Sequence, residues 1–108
     1  MWMRGEVRRV LSWSEAVDMR KSFDGLVGLV EAVLREDPLA GTVYVFFNRR
    51  GTILKSVYWD RTGYCLFAKR LEQGRFTLPG EGGKQALSER AFALLLDGIS
   101  LGKRVRVG

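Results

Sequence analysis

Two periodicities divide the chain. From Met19 onward, Met19, Phe23, Leu26, Val30, Val33 and Leu34 recur three or four residues apart, the spacing of one helical face. This predicts a long first helix capped by Asp18 or Ser22. Pro38 ends the pattern and holds Asp37 extended. Gly25 and Gly28 interrupt it at a cost in helix propensity, which suits close packing against a sheet. From Thr42 the period changes. Val43–Phe47 is a continuous run of strand formers, expected to be covered on both faces. Asn48-Arg49-Arg50-Gly51 reads as a hairpin turn. Strands are then predicted at 52–59 and 64–71, joined by the turn Asp60-Arg61-Thr62-Gly63. Gln73-Gly74 leads into a short fourth strand at 75–78, stopped by Pro79.

A Gly-rich stretch at 80–86 reads as a flexible loop. Ser88 then opens a second helix at 88–98, with Leu87 and Phe92 placed for a hydrophobic staple. Phe92, Leu95, Leu96 and Ile99 form its apolar face, and Gly98 suits its C-terminal cap. Residues 8–11 fit an edge strand, and 103–107 fit either an edge strand or a basic tail. The expected fold class is therefore α+β. An antiparallel four-stranded meander, open to extension by terminal edge strands, packs against a long N-terminal helix, with a shorter C-terminal helix nearby. The 108 residues suffice for one compact domain.

Composition narrows the chemistry. No segment reaches the roughly 20 apolar residues of a membrane span, and the charged N-terminal region does not read as a signal peptide. A soluble, cytoplasmic protein without membrane partners is expected. Cys65 is the single cysteine and there is no histidine. This excludes an intrachain disulfide, a Cys-based zinc site, histidine metal ligands and His-dependent catalytic triads. Cys65 itself reads as a core thiol. A two-metal nuclease needs three converging acids. Asp18 reads as a cap, Asp37 as a helix-end residue and Asp60 as a turn residue, while Asp24 would lie on another helical face from Asp18. No catalytic site, metal site or cofactor is expected.

Charge adds a binding surface. The net charge is +6, but residues 25–48 carry −2 and residues 49–76 carry +5. Localised basicity favours a polyanionic partner. In a meander, the first and third turns lie at one end of the sheet. Arg49, Arg50, Lys69, Arg70 and Arg75 should converge there, with roughly 10 Å between the two turns. With Lys55 on the intervening strand, these cations form the expected phosphate-binding set; solvation of a sheet face is the plainer reading. Arg61 falls at the opposite end beside Asp60. Most strand aromatics should be core, with Trp59 and Tyr64 the best placed for partial exposure and base stacking.

Longer motifs then stand out. Asp18-Met19-Arg20-Lys21-Ser22-Phe23-Asp24-Gly25-Leu26, Asp37-Pro38, Asn48-Arg49-Arg50-Gly51, Tyr58-Trp59-Asp60 and Lys69-Arg70-Leu71-Glu72, followed by Gly74, Arg75-Phe76 and Pro79, resemble the second small accessory protein of the insertion-sequence-66 transposon family. Leu78 departs from that pattern, which usually has Trp before the proline. The resemblance implies a non-catalytic accessory protein of DNA transposition. Its implied partners are transposon DNA, the element-encoded transposase and the other accessory protein. A second reading is a subunit that docks on the transposase through Asp18, Arg20, Lys21 and Asp24, whose charges are dense at a helix start; capping and solvation account for the same residues.

Overall fold

A computed structural model describes residues 8–78 and 82–98. Five strands form one mixed sheet in the order β4-β3-β2-β1-β5. They are β1 (Val10–Ala16), β2 (Val43–Phe47), β3 (Ile53–Asp60), β4 (Gly63–Arg70) and β5 (Lys84–Leu87). Helix α1 (Phe23–Leu29) continues into a π-helical turn at Val30–Leu34, and α2 (Glu89–Leu96) follows β5.

The expected meander is present for three strands, since β2, β3 and β4 pair antiparallel through successive hairpins. The rest of the expected fold class is corrected. The first strand begins at Val10 and lies inside the sheet, parallel to β2 and antiparallel to β5. It is not an edge. Its polar residues hide it from a hydrophobic-pattern reading, yet Ser12 and Ser14 are buried. Both are satisfied by their neighbours: Ser12 Oγ donates to Gln85 O at 3.3 Å, and Ser14 Oγ accepts from Gly83 N at 2.6 Å. Part of the stretch read as a flexible loop is thus strand β5.

No long N-terminal helix is found among the described residues. α1 is a short helix that forms the crossover between the parallel strands β1 and β2, and residues 18–22 remain outside it. Helical spacing there yields to non-local bonds described below. The C-terminal end is closed by Arg35 in a left-handed conformation (φ 54°), whose N–H bonds Val30 O. Nor is 75–78 a sheet strand of the expected kind. Only Leu78 makes a bridge, while Phe76 and Leu78 plug into the core.

Each sheet face buries its own cluster. Leu26, Val30 and Leu34 of the first helix cover Leu11, Tyr44, Phe46 and Val57. Phe92 and Leu95 of α2, with Phe76 and Leu78, cover Val10, Val43, Val45, Phe47 and Leu54. β2 is buried along its whole length, as its unbroken apolar run predicts. α2 begins as expected: Ser88 Oγ accepts from Ala91 N at 3.0 Å, and Gly98 closes it at φ +75°. Ile99 and the 103–107 segment lie outside the described residues.

Candidate nucleic-acid interface

The end of the sheet where β2 finishes is assembled from four separated segments. The first is the β2–β3 turn. Asn48 Oδ1 accepts from Thr52 N at 2.8 Å and Ile53 N at 3.0 Å, while its Nδ2 donates to Thr52 Oγ1 at 3.0 Å. Gly51, at φ +70°, takes the left-handed position, which costs a side-chain residue more than glycine. A fixed backbone therefore holds Arg49 and Arg50 outward, and both are exposed.

The second and third segments are the end of β4 and the stretch after it. Leu71 N donates to Thr52 O at 2.8 Å and Phe76 N to Gly51 O at 2.8 Å. These bonds bring 71–76 against the arginine turn. Arg70 and Arg75 are exposed there. Arg70 Nε lies 3.1 Å from Glu72 Oε2, in a pair whose partners are both largely in water. Such pairs hold little energy, so Arg70 can exchange Glu72 for another anion. Among the described residues, Arg49, Arg50 and Arg75 form no ion pair.

The fourth segment is the one that sequence reasoning missed. Because β1 runs parallel to β2, both strands end at the same edge of the molecule, and Val17 N donates to Phe47 O at 2.9 Å. Residues 18–22 consequently join the arginine turn. The segment assigned to partner binding and the segment assigned to phosphates are one surface. Reading 10–16 as a parallel neighbour of β2 is the signal that exposes this, and the serines conceal it.

Two predicted site residues do structural work instead. Lys55 Nζ donates to Met19 O at 2.7 Å and Lys21 O at 2.9 Å, tying the 18–22 loop to β3. Lys69 Nζ donates to Leu96 O at 2.6 Å, at the C-terminal end of α2, where the helix leaves carbonyls without intrahelical donors. Both ammonium groups add to the local potential with their donors directed inward.

Asp18 and Arg20 form a tight surface pair. Arg20 Nη2 donates to Asp18 Oδ2 at 2.7 Å, and Arg20 N donates to Asp18 Oδ1 at 2.9 Å. These bonds, the side-chain one foremost, pull the Asp18 carboxyl down to about 2. Lys21 and Asp24 are exposed. The stem of Lys21 lies along Gly25: a Cβ there would sit 3.1 Å from Lys21 Cβ and Cγ. So Gly25 accommodates a lysine stem. Gly28 faces open space, where an added Cβ would meet nothing within 4 Å. Gly28 therefore does not pack on the sheet, and the nearest neighbour of Gly25 is the Lys21 side chain. With Glu15 at the end of β1, Glu72 and Asp97 included, this end sets Arg20, Lys21, Arg49, Arg50, Lys55, Lys69, Arg70 and Arg75 against five carboxylates among the described residues.

The opposite end is closed. Arg8 Nη2 lies 3.3 Å from Asp60 Oδ1, and Arg8 Nη1 donates to Gly41 O and Trp59 O, each at 3.0 Å. Its guanidinium also sits 5.1 Å from the Tyr58 ring centre. Trp59 and Tyr64 are half-buried and meet edge to face at 5.1 Å. Asp37 holds its own turn, accepting from Leu39 N at 2.9 Å. Cys65 is half-buried against the α2-side core. Leu78, where the resemblance leads one to expect tryptophan, is core.

Comparison with known proteins agrees with the motif resemblance. The chain is 43% identical over 96 residues to the uncharacterized protein y4hO of Sinorhizobium fredii (strain NBRC 101917 / NGR234), covering 88% of this chain and 84% of that protein. It is 37% identical over 92 residues to the uncharacterized protein y4jC of the same strain, covering 84% and 79%. No solved structure matches it significantly. The family model described as IS66 Orf2-like protein matches residues 8–106, so the chain belongs to that family and has an accessory role associated with transposition.

Proposed function

We propose that the protein supports transposition without catalysing it, by holding DNA phosphates on the basic end of its sheet. One observation carries this reading. Arg49, Arg50 and Arg75 are exposed on backbone-fixed segments that meet at one point and, among the described residues, have no carboxylate partner. The fixed backbone means that no loop has to be ordered when these side chains bind, and each planar guanidinium can hold phosphate oxygens in a fork. Titrating duplex DNA at several salt concentrations tests the proposal. Each phosphate contact contributes about 0.9 to the logarithmic salt slope. Replacing all three arginines by alanine should therefore flatten the slope by roughly 3. A slope unchanged by the triple substitution contradicts it.

Docking on the element-encoded transposase through Asp18, Arg20, Lys21 and Asp24 is the second reading. It is favoured by the rigid, exposed 18–22 loop that Lys55 fastens in place. It requires the two proteins to co-purify after nuclease treatment. If the complex forms only with DNA present, direct docking fails.

A further inference from the structure

The basic end carries one feature that phosphate contact does not use. Among the described residues, the rings of Tyr44, Phe46, Phe47, Tyr58, Phe76 and Phe92 are buried. Trp13, Trp59, Tyr64 and Phe67 are half-buried. Phe23 differs: it is 44% exposed. It opens α1 directly after Lys21 and Ser22, on the segment that β1 delivers to the arginine end. A ring left this far in water forgoes part of its burial energy, and in sequence it stands between Lys21 and Asp24, at the point where the 18–22 loop enters α1.

We propose that Phe23 stacks on an unpaired DNA base while Lys21 and the arginine turn hold the flanking phosphates, so that the surface prefers DNA with an unpaired stretch beside a duplex. The inference rests on the phosphate-binding reading and names its ligand more closely. A ring beside cations is the combination that single-stranded nucleic acid selects: phosphates need the charge, and every base offers a face to the ring. Lys21 is positioned for this, since its stem lies along Gly25, one helical turn beyond it. The Lys55 bonds to Met19 O and Lys21 O fix the backbone that presents both side chains.

The test measures affinity of the full chain for a blunt duplex and for the same duplex with a short unpaired overhang, at one salt concentration. Wild-type protein should bind the overhang form more tightly, by roughly 5- to 150-fold, the range for one base–aromatic stack. Phe23→Leu should lose that preference and keep its affinity for blunt duplex, whereas Phe23→Trp should retain it. Arg49→Ala with Arg50→Ala should weaken both forms alike. Equal wild-type affinity for the two DNAs, or a preference that survives Phe23→Leu, overturns the stacking proposal and leaves phosphate binding standing. Binding to neither DNA overturns both. Phe23→Leu that spares DNA binding but abolishes nuclease-resistant co-purification with the transposase assigns the ring to a protein contact and also overturns stacking.

Discussion

Lys55 sets the position of a loop through one ammonium group. It replaces water on two backbone carbonyls that precede α1. Lys55→Met removes the donor while keeping the stem, and leaves a half-buried carbonyl without it. Such a loss costs about 1–3 kcal/mol, to be read as a lowered denaturation midpoint with unchanged slope. Lys55→Arg, which keeps a charged donor, should lose less. Asp18 offers a titration instead. Its ordinary value is 3.8, and Arg20 draws it to about 2 in the folded chain. A depressed carboxyl contributes stability above its unfolded value and loses that contribution as pH falls through its folded value. The window is thus about pH 4 down to about pH 2. Carboxyl NMR should place the Asp18 midpoint near 2, and Arg20→Ala should raise it part of the way toward 3.8, since the N–H of residue 20 still bonds Asp18 Oδ1. A midpoint unmoved by Arg20→Ala would show that the pair does not form in solution.

Among the elements, α1 and α2 make opposite predictions. Gly28 is helical, exposed and faces open space, so Gly28→Ala should stabilise the protein by about 0.5–1 kcal/mol. Gly25→Ala should gain less or lose, because the new methyl meets the base of the Lys21 side chain at 3.1 Å. Ser88→Ala removes the α2 cap bond and should cost about 1 kcal/mol. Thermal or chemical unfolding of the three variants checks all of these. What the sequence discloses at this scale is local. β2, β3, β4, both hairpin turns and α2 follow from apolar runs, turn residues and caps that neighbours in sequence supply. β1 and β5 do not, because the burial of Ser12 and Ser14 depends on bonds to a segment about 70 residues away. The start of α1 was legible as one of two options: Ser22, not Asp18, stands at the N-cap position, without a side-chain cap bond, while Lys55 and the Asp18–Arg20 pair hold 18–22 outside the helix. Phe76 and Leu78 carry correct strand alternation but use it to fill the core beneath α2.

At the scale of the whole molecule, topology decides what the charges can do. The exposed cations of the basic end come from separate stretches of sequence, and one parallel strand pair is what adds the 18–22 loop to the arginine turn. The clustering of Arg49, Arg50, Arg70 and Arg75 was legible from hairpin geometry, although the fourth strand invoked to place Arg75 is absent from the sheet. The joining of Arg20, Lys21 and Phe23 to that cluster was not, since it requires knowing that β1 lies beside β2. Lys55 and Lys69 show the limit of reading a cation as a ligand for phosphate: both donate inward to carbonyls. The most direct measurement is amide NMR mapping of the labelled protein as DNA with an unpaired end is added. Shift changes should concentrate at 17–23, 48–52 and 70–76 and fade as salt rises. Changes centred on the closed end, at 59–64 and 36–42, or no changes at any salt concentration, would contradict the assignment of the basic end as the DNA surface.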